Sequence, residues 1–178
     1  MPEPVRTPRL TLVPATRAAL LGDIAGRESL AAALTRPVAA DWPPMHWDHG
    51  ALRWLLDKLE VSEGREPFWW VWYITLDAEA GAVVGTIGFK GPPDAEGAAE
   101  VGYSVATSYW RRGIASEACG GLLAWAARDP RVKRFTAHTL PGDPASSGVL
   151  LKNGFAFTRK ATDGDAGEVD RFERSATP

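Results

Sequence analysis

The run from Glu100 to Ala118 constrains this chain more than any other. Glu100-Val101-Gly102-Tyr103-Ser104-Val105 alternates like a half-buried strand, with Val101, Tyr103 and Val105 at period two. After a short polar connection, Arg111-Arg112-Gly113-Ile114-Ala115 runs directly into Ser116-Glu117-Ala118-Cys119-Gly120-Gly121-Leu122-Leu123-Ala124-Trp125, an Ala- and Leu-rich helical pattern. A strand, a basic turn and a helix in that order form an anion site. The first N–H groups of a helix have no internal partners. The helix dipole adds partial positive charge there, and phosphate is the common guest. Arg111 and Arg112 bring full charges, while Gly113 and Ala115 keep side chains clear of an approaching pyrophosphate.

Composition decides whether those arginines are local or part of a basic face. The formal net charge is −2, so they are local, and no nucleic-acid partner is expected. A chain of 178 residues fits one domain, 1–178, with a substantial core. A single cysteine excludes a disulfide framework and a Cys-based zinc cluster, and no metal is expected. Cys119 lies inside the helical pattern and reads as a small packing residue. The first residues carry no apolar leader core, and no apolar run approaches the length of a membrane span, so a cytoplasmic protein off the membrane is expected.

Along the chain, Arg9-Leu10-Thr11-Leu12-Val13-Pro14 reads as an edge strand, and Thr16 as the cap of a helix that breaks at Gly22 or Gly26. Pro37 to Asp48 is irregular and carries Trp42, Met45, His46 and Trp47. A second helix covers His49 to Leu59, and Gly64 to Pro67 is a turn. Phe68 to Leu76 reads as a strand, with Trp70 and Trp72 on one face and Trp69 on the other. It makes a hairpin through Asp77–Gly81 with Ala82–Phe89. Ala98–Val105, Arg134–Leu140, Phe155–Lys160 and Val169–Arg174 are further strands. Pro144 suits the first position of a helix that Asn153-Gly154 ends. The order predicts an α+β domain on a mostly antiparallel sheet of about seven strands, with a helical crossover between the fourth and fifth.

Two segments carry a family resemblance. Glu100-Val101-Gly102-Tyr103 with Tyr109-Trp110-Arg111-Arg112-Gly113-Ile114-Ala115-Ser116-Glu117-Ala118 resembles the acetyl-coenzyme A loop of the GNAT N-acetyltransferase superfamily. The nearest branch is the one containing the ribosomal-protein N-terminal acetyltransferases. Pro141-Gly142-Asp143-Pro144-Ala145-Ser146, running on to Asn153-Gly154-Phe155, is similar to that branch's later motif. The resemblance covers most of the chain. It implies a sheet whose fourth and fifth strands splay apart, with the pantetheine arm in the gap.

It also implies roles. Tyr103, Ser104, Val105, Arg111, Arg112, Gly113, Ile114, Ala115, Ser116, Asp143 and Ser146 are the expected contacts of acetyl-coenzyme A, the acyl donor. The simpler use of Asp143, which stands where the motif has Asn, is to cap its helix. Glu100 is the candidate base, directly or through water, against a plain solvent-facing strand carboxylate. Ser146 is the candidate group at the cofactor sulfur, where it protonates the thiolate, against a serine satisfying its own helix turn. The position where other members place a tyrosine acid is Leu150 here, so that device is excluded. The backbone N–H of Val105 or a neighbour is the expected oxyanion donor. His46 and His138 carry no assignment, and His138 faces either cleft or core. The expected reaction moves an acetyl group to a primary amine, on a protein N-terminus or a small molecule, by direct attack in a ternary complex. A non-catalytic acyl-coenzyme A sensor is the alternative. The acceptor is unassigned, and the first-half tryptophans leave a homodimer contact and a substrate cleft both open.

Overall fold

The computed structural model describes residues 3–61, 67–164 and 167–176. The strands are β1 (Val5–Arg6), β2 (Leu10–Pro14), β3 (Trp72–Leu76), β4 (Ala82–Phe89), β5 (Ala98–Val105), β6 (Arg134–Thr139), β7 (Ala156–Asp163) and β8 (Gly167–Ser175). The helices are α1 (Arg17–Ala25), α2 (Arg27–Leu34), α3 (His49–Val61), α4 (Ile114–Ala126) and α5 (Pro144–Lys152). They build the expected α+β architecture around one eight-stranded sheet ordered β1-β2-β3-β4-β5-β6-β8-β7. Every neighbouring pair is antiparallel except β5 and β6. The strand beyond the expected seven is the two-residue β1, too short to leave a periodic signal. The fourth and fifth strands of the sequence reading are therefore β5 and β6.

Alternation along the strands separates two cores. Leu10, Leu12, Trp72, Ile74, Val84, Val101 and Phe135 pack under α4 and α5 through Ile114, Cys119, Leu122, Leu123 and Leu150. Val71, Tyr73 and Val83 pack on the opposite face under α1, α2 and α3, meeting Ala19, Leu20, Leu30, Leu52 and Leu55. Cys119 is fully buried and packs as expected, its thiol pushed up to about 12 by burial. The cap at Thr16 forms, its side chain accepting from the Ala19 N–H, and the break between α1 and α2 falls at Gly26, whose φ is 119°.

The tryptophan pattern differs from the expectation. Pro67–Trp69 is a 3-10 turn and the strand begins only at Trp72. A proline opening the segment fixes φ and removes a ladder donor, so the turn displaces the strand. Trp69 and Trp72 consequently share the α4-side core, 5.5 and 5.2 Å from the Trp125 ring, while Trp70 packs against the other core. Residues 64–66 of the expected turn lie outside the described residues, as do 165–166 between the last two strands. Among the described residues, no helix is long and apolar enough to cross a membrane.

Candidate functional site

The parting of β5 from β6 creates the site. They pair only at Ala98, Ala99 and Glu100, opposite Arg134, Phe135 and Thr136. On the other edge of β5, the Lys90 N–H donates to the Glu100 carbonyl and the Ala106 N–H to the Val84 carbonyl. The alternation of an antiparallel ladder then commits Gly102 and Ser104 to β4 and turns the N–H groups of Tyr103 and Val105 toward the gap. The Val105 carbonyl is taken by Trp110 Nε1 at 2.7 Å. The gap opens into a cleft of about 770 Å³ running from the start of α4 to the start of α5. Tyr103, Ser104, Val105, Arg111, Gly113, Ile114, Ala115, Ser116, Asp143 and Ser146 all line it.

At one end lies the basic turn. Arg111 (φ 62°) and Gly113 (φ 77°) are left-handed on either side of Arg112, and Gly113 is the N-cap of α4. Left-handed steps of this kind gather backbone N–H groups around a concavity fit for an anion. A non-glycine residue in that region is uncommon, so the turn needs support. Arg9 supplies it from just before β2: its Nη1 donates to the Arg112 carbonyl at 3.0 Å, its Nε to Glu117 Oε2 at 2.7 Å and its backbone N–H to Glu117 Oε1 at 2.8 Å. The Thr7 hydroxyl also donates to Glu117, at 2.6 Å. Arg112, by contrast, points its guanidinium at Glu79 (3.3 Å) and over the Tyr109 ring (4.8 Å) rather than into the cleft.

Burial by itself raises the Glu117 carboxyl, but the hydrogen bonds from Thr7 and Arg9 outweigh it and hold the group below its usual range. A carboxylate depressed in the folded state stabilises the fold above its unfolded titration and loses that contribution as pH falls through the folded one. Glu117→Gln is therefore expected to flatten the acid limb of stability, below about pH 4.5, and to weaken ligand binding at the turn at neutral pH. Thermal melts across pH with calorimetry check both; an unchanged acid limb contradicts the first.

At the other end, Asp143 caps α5, accepting from the Ala145 and Ser146 N–H groups at 3.0 Å each. Ser146 sits in that first turn, within reach of the Tyr103 hydroxyl. Leu150 is fully buried.

The opposite face of β5 is open beside Gly102, where a Cβ would meet nothing within 4 Å. Ser104 Oγ donates to the Met45 carbonyl at 2.7 Å, holding the irregular loop so that Met45 and His46 border the cleft. Trp42 and Trp47 do not border it. Their indoles turn inward to buried Asp23. Glu100 also lies off the cleft lining. Its Oε1 is 2.6 Å from Lys90 Nζ and 3.2 Å from His138 Nδ1, and Lys90 also reaches Asp163 at 3.3 Å. Burial lowers the Lys90 ammonium, but Glu100 and Asp163 outweigh it and raise it above its ordinary range. His138 lines the cleft, with both ring nitrogens shielded and out of line for a hydrogen bond.

This geometry has known counterparts. Residues 9–156 match the family model described as the acetyltransferase (GNAT) domain. The chain belongs to the GNAT family. Among relatives of this GNAT domain is the uncharacterized N-acetyltransferase YjdG of Bacillus subtilis, 35% identical over 81 residues, which are 46% of this chain and 48% of that one. The chain thus spans about half the length of that relative. Among solved structures, RimL, a ribosomal L7/L12 alpha-N-protein acetyltransferase in complex with coenzyme A, superposes with a TM-score of 0.67 at 20% identity, covering 97% of this chain and 98% of that one. The ribosomal-protein-S5-alanine acetyltransferase of Vibrio fischeri gives 0.70 at 17% identity, with 99% and 98% covered. Both likenesses are of fold.

Three contacts around the cleft left no mark in the sequence pattern. Arg9 meets Glu117 across 108 positions, and Asp23 meets Trp42, Trp47 and Tyr73 across separate elements. Lys90 follows β4 and reaches Glu100 only once β4 and β5 pair. Each is a contact the fold makes, without a local motif.

Proposed function

We propose that the chain is an acetyl-coenzyme A-dependent N-acetyltransferase that acts on a primary amine, of a protein N-terminus or a small molecule, by direct attack in a ternary complex. One observation carries this reading: where β5 and β6 part, the N–H groups of Tyr103 and Val105, which join no strand ladder among the described residues, turn into a cleft that has an anion-fitted turn at one end and a serine at the other. The residues suit the donor. The α4 turn takes the diphosphate, and the open edge of β5 offers strand-like hydrogen bonds to the amides of the pantetheine arm. The sulfur then falls near Ser146.

In the reaction the amine nitrogen bonds to the acetyl carbon, the carbon–sulfur bond breaks, and one amine proton leaves while the sulfur gains one. Amines titrate at about 8 for a chain terminus and about 10 for lysine, so a base must take that proton. Glu100 fills that role by relay through water, because it stands off the cleft lining. Developing charge on the acetyl oxygen falls to the Val105 N–H, a donor type whose loss costs roughly 3–4 kcal/mol in other enzymes. Ser146 donates to the departing sulfur.

The test is thiol release from acetyl-coenzyme A against a panel of amino-acid amides, spermidine, kanamycin and short peptides. Turnover with one class of acceptor is expected. An inert chain that still binds the cofactor would make it a sensor instead. Glu100→Gln is expected to lower turnover mainly at low pH and to leave cofactor affinity within about twofold; an unaltered pH–rate profile removes Glu100 from proton transfer.

A further inference from the structure

Two hydroxyls meet in the cleft wall at the end away from the anion-fitted turn. Tyr103 comes from β5 and Ser146 from the first turn of α5. The Tyr103 hydroxyl donates to the Ser146 carbonyl at 3.0 Å and lies 3.2 Å from Ser146 Oγ. Both residues line the cleft. A phenol has one hydrogen. With that hydrogen on the carbonyl, the 3.2 Å contact is the serine donating to the phenol oxygen.

We infer that Tyr103 is a positioning residue for Ser146, holding the serine hydroxyl at the sulfur end of the cleft and donating to its oxygen when the serine turns its hydrogen to a thiolate. This rests on the transferase reading, which uses only the backbone N–H of Tyr103, and adds its side chain. The resting contacts are between neutral groups. A thiolate carries a full charge, and a charged acceptor draws the stronger hydrogen bond. As charge gathers on sulfur, the Ser146 hydrogen swings from the phenol to it, and the phenol hydrogen follows onto Ser146 Oγ. A hydroxyl that accepts one hydrogen bond donates a better one. No covalent bond to either hydroxyl breaks, and the proton that ends on sulfur comes from water at the cleft mouth. Burial, the largest influence, pushes the Tyr103 phenol above its ordinary range despite the opposing contact with Ser146. The phenol therefore keeps its hydrogen at any working pH. The serine is held from three sides: its N–H by Asp143, its carbonyl by Tyr103, and its hydroxyl by the same phenol. Leu150, one turn further along α5, is buried and sends no polar group toward the sulfur.

The experiment needs no acceptor. Coenzyme A is bound to the full chain and the ultraviolet absorbance of its thiolate is followed against pH. The thiol is expected to ionise about one pH unit lower in the complex than in free coenzyme A, the size of one hydrogen bond to a charged group. Ser146→Ala returns the midpoint to the free value. Tyr103→Phe, which keeps the ring and its packing, recovers part of that shift. The double variant matches Ser146→Ala, because the phenol acts only through the serine. Calorimetric titration of each variant with desulfo-coenzyme A measures any change in binding that does not pass through the sulfur. A Tyr103→Phe complex that titrates like wild type overturns the inference, and so does a double variant shifted beyond Ser146→Ala. A chain that binds no coenzyme A at all overturns the transferase reading itself.

Discussion

Gly113→Asp abolishes coenzyme A binding while the protein stays folded. Gly113 sits at φ 77° as the N-cap of α4, and the nearest atom to a Cβ placed there is Arg9 Nη2 at 3.4 Å, an ordinary contact. Aspartate enters the left-handed region more readily than most residues and is a favoured helix cap, so the fold tolerates it. The loss is electrostatic. The new carboxylate occupies the concavity that Arg111, Gly113 and the first α4 amides form, and takes the N–H groups that a diphosphate needs. One pair of like charges about 4 Å apart costs about 4 kcal/mol at an effective dielectric near 20, roughly a thousandfold in affinity. Gly113→Ala adds backbone strain without charge and loses much less. Calorimetric titration of both variants, with melts to show that they are folded, separates the effects. Wild-type affinity in a folded Gly113→Asp protein contradicts the assignment of the turn.

Asp23→Ala produces the largest loss of stability from one polar side chain. The Asp23 carboxylate is buried and accepts from Trp42 Nε1 at 2.7 Å, Trp47 Nε1 at 2.8 Å and the Tyr73 hydroxyl at 3.0 Å. Removing it orphans three donors at once. Each buried unsatisfied donor costs about 1–3 kcal/mol, and breaking a buried charged contact typically costs about 3–5 kcal/mol. That is a large share of the roughly 5–15 kcal/mol by which domains are stable. Burial first, and the Asp23 charge second, push the Tyr73 phenol above its ordinary range, so this donor does not titrate away before the protein unfolds. The two tryptophans bracket Met45 and His46, so the variant also loosens the loop over the open face of β5. Asp23→Asn keeps one acceptor oxygen and falls between. Urea denaturation measures the loss; a change under about 1 kcal/mol for Asp23→Ala contradicts the anchor.

The parts of this molecule that were legible in the sequence are those built from neighbours. Val101, Tyr103 and Val105 at period two, followed by Arg111 to Ala115 and an apolar helix, specify a strand, a turn and a helix N-terminus locally. Pro144 and Asn153-Gly154 mark both ends of α5 in the same way. Trp69 was misread because its face depends on where the strand starts, and Pro67 delays that start to Trp72. Arg9, Asp23 and Lys90 were not legible because their partners belong to other strands and helices. The convergence of Tyr103 on Ser146 likewise exists only once α5 lies against the gap beside β5.

The proposed function requires coenzyme A to lie between the parted ends of β5 and β6. A crystal structure of the chain with coenzyme A tests it most directly. The diphosphate is expected on the amides from Arg111 to Ser116, the pantetheine amides on the open edge at Tyr103 and Val105, and the sulfur within hydrogen-bonding distance of Ser146 Oγ. Coenzyme A bound elsewhere on the molecule, with β5 and β6 bare, contradicts it.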